Sequence, residues 1–309
     1  MTTTMRALRA TGDAAAPLAF QSVPVPEPRD AETLVRVHAI SLNAGEVRRA
    51  PSRAPGDPLG WDFAGIVAAG PRSGERVVGL MPDQGAWAEY VAAPEAYLTP
   101  LPGGVSFEDA STLPVAGLTA LRALRHGAPL AGKHVLISPG TGGAGLFAIQ
   151  LAAREGARVT ASARRPEAEE QLRSAGAHTV VIGEPAALRD HAPYDVVLES
   201  LGGAALAFAL TSLAPDGIVV HFGQSAAGET TFASNAFYLT GGARLYGFVL
   251  FHEAEKHPVG ADLGFLASLV ARNELATNVE TTIAFDDFLT AFERKSKAGR
   301  AGKIVVRLD

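Results

Sequence analysis

Residues 134–152 read HVLISPGTGGAGLFAIQLA, and they are the sharpest indication of the fold class of the chain. A short strand-forming run leads into a glycine-rich turn, and a helix-forming run follows it. The glycines at 140, 142 and 145 have GxGxxG spacing, which is specific only between a strand and a helix. There Gly140 permits the tight turn, Gly142 lets a pyrophosphate approach the backbone, and Gly145 lets the helix pack on its strand. The competing interpretation is an ordinary glycine-rich turn.

Strands and helices alternate on both sides of this turn. We predict strands at 134–138, 158–162, 178–182, 194–199, 217–222 and 244–249, with helical periodicity between them. Such alternation is typical of a parallel sheet covered on both faces. The first third instead shows short strand patterns between glycine and proline turns, at 65–69, 75–80 and 86–92. The fold class is therefore α/β, with a β-rich domain and a doubly wound parallel-sheet domain.

Composition excludes several functions. The formal net charge of −5 and the absence of basic runs argue against nucleic acid. The chain has no cysteine, which removes disulfides, thiolate metal sites and thiol nucleophiles. Residues 135–153 carry no charge, but Pro139 and four glycines favour a strand, turn and helix over a membrane span. Because the first residues also lack the apolar core of a signal peptide, we expect a cytoplasmic protein with no membrane partner.

The end of the second strand of the alternation indicates which dinucleotide binds. It reads Ser162-Ala163-Arg164-Arg165, and no carboxylate follows until Glu167. An NAD site or a methyltransferase would need an acidic residue here for the ribose, whereas arginine binds a phosphate. The pattern favours the 2′-phosphate of NADPH, the alternative being two solvated surface arginines. No tyrosine has a lysine four residues later, which argues against a short-chain dehydrogenase.

Seven segments together resemble the medium-chain dehydrogenase/reductase superfamily, in its zinc-independent quinone oxidoreductase-like branch. They are VHAISLN at 37–43, PLGWDFAGIVAAG at 58–70, GERVVGL at 74–80, GAWAEYVAAP at 85–94, LPVAGLTAL at 113–121, AGKHVLI at 131–137 and AGKIVVRLD at 301–309. The resemblance implies a GroES-like catalytic domain, residues 1–117 and 250–309, interrupted by a Rossmann NADPH-binding domain, residues 118–249.

The resemblance also implies roles for individual residues. Asn43 is expected beside the nicotinamide ribose or the substrate, and Lys303 at the cofactor phosphates. The remaining cofactor contacts are expected from Thr119, Gly140, Thr141, Gly142, Gly143, Ala144, Gly145, Ser162, Arg164, Arg165, Phe222, Gly223, Gln224, Ser225, Phe248 and Leu250. Each has an ordinary structural alternative: Asn43 as a turn cap, Thr119 as a buried helix residue, Lys303 as a solvated lysine.

Three departures from the family pattern stand out. The cysteines that hold zinc in related alcohol dehydrogenases are absent, and the histidines show no metal-ligand spacing, so we expect no metal. The lysine and tyrosine that similar quinone reductases place after the second and third strands are replaced by Ala168 and Gly183. The aspartate expected after Asn43 is missing, and Glu46 is the nearest carboxylate.

These residues predict hydride transfer from NADPH to a quinone or another α,β-unsaturated carbonyl compound. The oxygen that gains charge needs a donor, for which Asn43, Tyr238 and Tyr246 are candidates. An apolar pocket is expected from Leu59, Trp61, Met81, Trp87 and Phe251, each of which core packing explains equally well. Two alternatives remain: an NADPH-binding structural or redox-sensing protein with little turnover, and a biosynthetic tailoring enoyl reductase. The apolar sixth strand would be a sheet edge, so we expect a homodimer.

Overall fold

The computed structural model describes residues 3–226, 228–296 and 302–308, and Ala301 and Asp309 of the closing AGKIVVRLD segment lie outside these ranges. Its strands are β1 Thr4–Ala10, β2 Leu18–Pro24, β3 Glu32–Ser41, β4 Asp62–Val67, β5 Arg76–Leu80, β6 Tyr90–Pro94, β7 Leu98–Pro100, β8 His134–Ser138, β9 Arg158–Ala163, β10 Thr179–Ile182, β11 Tyr194–Glu199, β12 Leu213–His221, β13 Arg244–Gly247, β14 Val279–Ala284 and β15 Lys303–Arg307. Its α-helices are α1 Ala44–Arg49, α2 Phe107–Ser111, α3 Leu118–Arg125, α4 Gly143–Arg154, α5 Glu169–Ser174, α6 Gly203–Leu210, α7 Ser234–Tyr238, α8 Leu250–Lys256, α9 Gly260–Ala271 and α10 Phe288–Ser296.

The chain divides into two compact units, and residues Thr119–Glu253 form the second. Its sheet has the strand order β10-β9-β8-β11-β12-β13, and every pairing is parallel. From β8 the chain builds outward in one direction to β10 and then in the other direction to β13. The direction of building reverses between the neighbouring strands β8 and β11, so the carboxyl ends of these two strands mark a topological switch point. Open α/β sheets bind their ligands at such points. This sheet confirms the predicted fold class.

The first unit consists of Met1–Leu118 and Ala254–Asp309. Its larger sheet has the order β14-β15-β3-β4-β5-β7, with β6 paired to β3, and β1 pairs with β2 separately. β15 pairs antiparallel with β3, so the last strand of the chain lies beside one from its first fifty residues. This pairing brings Lys303, the first residue of β15, next to Asn43, which lies two residues after the end of β3.

Two local predictions differ from the structure. The strand predicted at 86–92 begins only at Tyr90, because the backbone of Trp87 bonds to Leu8 and Leu59. The Trp87 ring lies in the core and packs on Phe288 at a ring separation of 4.8 Å. Leu59 lies in the same core, so Leu59 and Trp87 serve packing. Residues Leu113–Gly117 form a π-helical turn that joins α2 to α3. The interruption predicted at Pro114 is therefore a widened turn, as a residue without a backbone N–H favours.

Candidate functional site

The glycine turn after β8 combines two packed glycines with one open glycine. A Cβ on Gly145 would lie 2.4 Å from the Pro139 carbonyl oxygen, and one on Gly140 would lie 2.9 Å from a Leu172 methyl group. Backbone packing therefore limits position 145 to glycine, whereas a side chain at 140 would have to displace Leu172. A Cβ on Gly142 would meet no atom within 4 Å among the described residues. Free space thus lies directly above the backbone at Gly142.

The amino terminus of α4 faces this space. Gly142 is the N-cap in an extended conformation, and the first backbone bond of the helix runs from Leu146 N to the Gly142 oxygen, 2.9 Å. The amides of Gly143, Ala144 and Gly145 precede that bond, and first-turn amides have no acceptor within a helix. The positive end of the helix dipole adds to their attraction for anions. An open glycine beside such amides fits the pyrophosphate of a dinucleotide, with Thr141 at its side.

The end of β9 borders the glycine turn. The Gly140 amide donates to the Ser162 carbonyl at 2.8 Å, and the Ser162 hydroxyl donates to the Ser138 hydroxyl at 3.0 Å. Arg164 and Arg165 follow directly and are exposed. The structure therefore presents two guanidinium groups at the carboxyl edge of the strand next to the turn. Their binding to a 2′-phosphate remains a prediction.

A buried carboxylate and a histidine occupy the same edge, and sequence reasoning did not find them. Glu199 ends β11, is fully buried, and accepts hydrogen bonds from the amides of Leu201 at 2.6 Å and Gly202 at 3.0 Å. Its other oxygen lies 2.7 Å from Nδ1 of His221, at the end of β12. An acidic residue closing an apolar run, DVVLE, was the available signal, because the carboxyl ends of such strands face the ligand.

The segments expected under the nicotinamide half lie at the ends of β11, β12 and β13. The Phe222 amide donates to the Glu199 carbonyl at 3.0 Å, and the Ser225 hydroxyl donates to the Ser200 carbonyl at 3.0 Å. The amide of buried Phe248 donates to the His221 carbonyl at 2.8 Å, and Leu250 is buried beyond it. Gly223 is packed, since a Cβ there would lie 3.0 Å from Ser200. Backbone bonds thus anchor the Phe222–Ser225 segment to the strand ends.

The two tyrosines considered as proton donors lie in different settings. Tyr238 is the last residue of α7, and its side chain is 69% exposed. The Tyr246 hydroxyl donates to Glu253 at 2.6 Å, and this bond raises the pKa of Tyr246. Tyr246 is therefore engaged with a carboxylate as a poorer acid than free tyrosine, and a role for Tyr238 stays a prediction.

In the first unit, Asn43 belongs to a buried polar cluster with Asp62 and Lys303. Lys303 Nζ lies 2.6 Å from Asn43 Oδ1 and 3.4 Å from Asp62 Oδ2. The Asn43 amide donates to the same Asp62 oxygen at 2.8 Å. We predicted Lys303 at the cofactor phosphates, but it is 1% exposed and committed to this cluster. The reason is that a buried ammonium needs a nearby carboxylate, which Asp62 provides.

Two buried carboxylates surround Asn43. Asp62 also accepts from the Ser41 hydroxyl at 2.6 Å and the Val115 amide at 2.9 Å. Burial raises the pKa of Asp62, and the charge of Lys303 opposes this rise. Glu46 accepts from the amides of Asn43 at 2.7 Å and Trp61 at 2.6 Å. Burial, reinforced by the charge of Asp62, raises the pKa of Glu46 to about 8.

Asn43 has two structural duties in this arrangement. It is the N-cap of α1, where Glu46 completes the return half of a capping box through the Asn43 amide. Its side chain is also fixed by a donor and an acceptor on either side, which leaves little freedom to rotate. Thr119, by contrast, lies buried near the start of α3, and its approach to a cofactor stays a prediction.

The described residues contain neither a candidate metal site nor a membrane-spanning helix. No group of three or more His, Cys, Asp or Glu side chains is arranged to hold a metal ion there. Across the same part of the chain, no helix has both the length and the apolar character that crossing a bilayer requires.

Comparison with known families gives two consecutive matches. Residues 29–103 match the alcohol dehydrogenase GroES-like domain, and residues 143–263 match the zinc-binding dehydrogenase domain. The first match covers β3 to β7, and the second begins at the first residue of α4. The matches therefore include Asn43, Glu199 and His221, whereas the glycine turn at 140–142 and Lys303 lie outside them.

Individual relatives agree with these matches. The chain is 29% identical over 322 residues to the chloroplast envelope quinone oxidoreductase homolog of Arabidopsis thaliana, covering 96% of this chain and 95% of that protein. It superposes on the quinone oxidoreductase of Coxiella burnetii with a TM-score of 0.84 and 27% identity, covering 99% of this chain and 100% of the other. The chain is also 32% identical to the phthioceranic/hydroxyphthioceranic acid synthase of Mycobacterium tuberculosis, and this match covers 94% of the chain described here. The chain spans only 14% of that synthase.

Proposed function

This chain belongs to the medium-chain dehydrogenase/reductase superfamily, in its quinone oxidoreductase-like branch, and on that premise we propose that it reduces quinones or other α,β-unsaturated carbonyl compounds with NADPH, without zinc. The observation that carries the proposal is the open backbone at Gly142 beside the first-turn amides of α4. We assign cofactor binding to the second unit. The first unit, with the Asn43 cluster, is assigned to the reacting end of the substrate.

The choice of NADPH over NADH rests on charge. Arg164 and Arg165 follow β9, where an NAD site carries an acidic residue for the adenosine ribose. A guanidinium group offers a phosphate two parallel charge-assisted hydrogen bonds. The second unit therefore suits a dinucleotide with an additional phosphate on its adenine half.

The bound cofactor would supply the hydride, and the protein's task is orientation and stabilisation of charge. When hydride reaches carbon, negative charge moves to the carbonyl oxygen, which a preorganised donor stabilises. We assign that role to the side-chain amide of Asn43, whose rotation is fixed by Lys303 and Asp62. One of its two N–H groups donates to Asp62, and the second is the donor that we propose. A donor already held in place gives up no rotational freedom as the charge develops. Tyr238 stays as a second candidate.

We also propose that the enzyme is a homodimer paired through β13. This strand is the outer one of the second unit's sheet on that side, and it exposes Leu245. An apolar edge strand with unpaired backbone groups favours pairing with a second copy.

A second candidate function is supported by one comparison. The match to the phthioceranic/hydroxyphthioceranic acid synthase covers 94% of this chain at 32% identity. Because a synthase is a biosynthetic protein, this match favours a role in a biosynthetic pathway. A tailoring enoyl reductase in such a pathway would use the same cofactor site and differ only in its substrate. A quinone and an enoyl thioester, supplied in parallel, therefore separate the two functions.

The test is to follow nicotinamide absorbance with purified protein, NADPH and each acceptor in turn. We expect NADPH consumption that requires the acceptor, and weaker binding of NADH. Turnover with the thioester but not the quinone would favour the tailoring reductase. NADPH binding without turnover on either acceptor would favour a structural or redox-sensing protein. Failure to bind NADPH would overturn the proposal.

A further inference from the structure

Four polar side chains form a row across the sheet of the second unit. Ser138 pairs with Glu199, and Glu199 pairs with His221, in direct parallel register. Ser162 joins the row through its hydroxyl bond to Ser138. Directly paired residues on neighbouring strands project from the same face of a sheet. The row therefore follows one face of the sheet along its carboxyl edge, crossing the switch point between β8 and β11.

The row ends at the only member with substantial exposure. Glu199 is fully buried, whereas the side chain of His221 is 26% exposed. The next position in register is Gly247 on β13, which adds no side chain. His221 thus lies at the open end of a buried polar row.

Glu199 fixes how His221 presents its ring. Nδ1 of His221 lies 2.7 Å from Glu199. When the carboxylate is ionised it is an acceptor only, and Nδ1 then carries the hydrogen. The Glu199 carboxylate is itself held by the amides of Leu201 and Gly202. In the neutral ring this leaves Nε2 as a hydrogen-bond acceptor. The orientation of the ring is set by Glu199, which the two backbone amides hold in place.

We propose that His221 binds a hydroxyl of the ribose on the nicotinamide half of the cofactor. This rests on the proposed function, because the direction follows from the dinucleotide. If the pyrophosphate bound at the end of β8 and the adenine half lay beside Arg164, which follows β9, the other half would extend across the switch point towards β11 and β12. β12 is two strands from β8, which is ~10 Å at the usual strand spacing, about the reach of one nucleoside.

Chemical complementarity supports a hydroxyl ligand. A ribose hydroxyl donates to an acceptor nitrogen such as Nε2 and accepts from the same nitrogen when the ring is protonated. The competing explanation is structural: His221 serves only to satisfy the buried Glu199 carboxylate. The experiment must separate these two roles.

The experiment measures binding of two probes, NADPH and 2′,5′-ADP, by calorimetry. The second probe contains the adenine half without the nicotinamide ribose. His221→Phe removes both nitrogens, whereas His221→Asn keeps a donor near the Nδ1 position for Glu199 but lacks Nε2. We expect both variants to weaken NADPH about 3- to 10-fold, in keeping with one hydrogen bond, and to leave 2′,5′-ADP unchanged.

His191→Phe is the matched control, because His191 is exposed and lies at the opposite end of β11. It should bind both probes as the unmodified protein does. Normal NADPH affinity in His221→Asn would assign His221 to Glu199 alone and overturn the proposal, as would equal weakening of both probes. If the unmodified protein binds 2′,5′-ADP but NADPH no more tightly, the ribose contact is excluded while the adenine site stands. If it binds neither probe, the proposed function fails and this inference fails with it.

Discussion

At the scale of single residues, Arg164 and Arg165 make the clearest distinction between cofactors. Replacing both by alanine should weaken NADPH more than NADH, by roughly 1.5–3 kcal/mol per lost charged hydrogen bond. NADH has no 2′-phosphate, so its affinity should change little. Dissociation constants for both cofactors measure the difference. Arg189→Ala, an exposed arginine before β11, is the control. Equal losses for the two cofactors would remove the arginines from the phosphate site.

Glu46 gives the first unit a pH dependence. In the unfolded chain its pKa is near 4.5, and burial raises it to about 8. Between these values the folded state holds a proton that the unfolded state releases, so the free energy of unfolding decreases as pH rises, by up to ~1.4 kcal/mol per pH unit. Glu46→Gln, which mimics the neutral acid, should make this decrease smaller. Part of the decrease should remain in this variant, because the pKa of Asp62 is also raised by burial.

Urea titrations at several pH values between 5 and 8 measure the effect. Glu167→Gln, an exposed carboxylate, should retain the full slope. Parallel pH profiles for Glu46→Gln and the unmodified protein would show that Glu46 is charged in the folded state.

Single residues also show where sequence reasoning ends. The glycine at 145 was predictable because its constraint is local: the turn brings the backbone of Pro139 and Gly140 against the helix within a few residues. The position of Lys303 could not be predicted in this way, because its partners Asn43 and Asp62 lie 260 and 241 residues away in the sequence. The pairing of β15 with β3 creates that contact, and no pattern around Lys303 encodes it.

At the scale of elements, the β8–turn–α4 segment separates folding from binding. Gly142→Val should fold, because its Cβ enters open space, and should lose NADPH, because the side chain fills the space assigned to pyrophosphate. Gly145→Ala should lower the thermal midpoint instead, since its Cβ meets the Pro139 oxygen. Gly103→Val, also open and without a positive φ, is the control. Calorimetric titration with thermal unfolding measures both properties, and unaltered NADPH binding in Gly142→Val would show that the turn is not the site.

The elements differ in how far the sequence determined them. In the second unit, β8 and β11 contain the apolar runs VLI and VVL, and both strands have the bounds that their patterns predicted. In the first unit, β6 starts later than its pattern predicted, because the backbone of Trp87 bonds to Leu8 and Leu59, which are distant in the sequence. The Glu199–His221 pair was missed because it forms only when β11 and β12 align in register.

At the scale of the whole molecule, the proposed dimer is the remaining prediction. Leu245 lies on the edge strand β13 with half of its surface exposed, so a second copy would bury it beside paired backbone groups. Leu245→Lys should shift the protein to monomer in light scattering, because a lysine at such an edge opposes pairing. Leu289→Lys, an exposed leucine on α10, should leave the assembly unchanged. NADPH binding should survive in the monomer, since the glycine turn and both arginines belong to one chain. A monomeric unmodified protein, or a dimer that tolerates Leu245→Lys, would place the interface elsewhere or remove it.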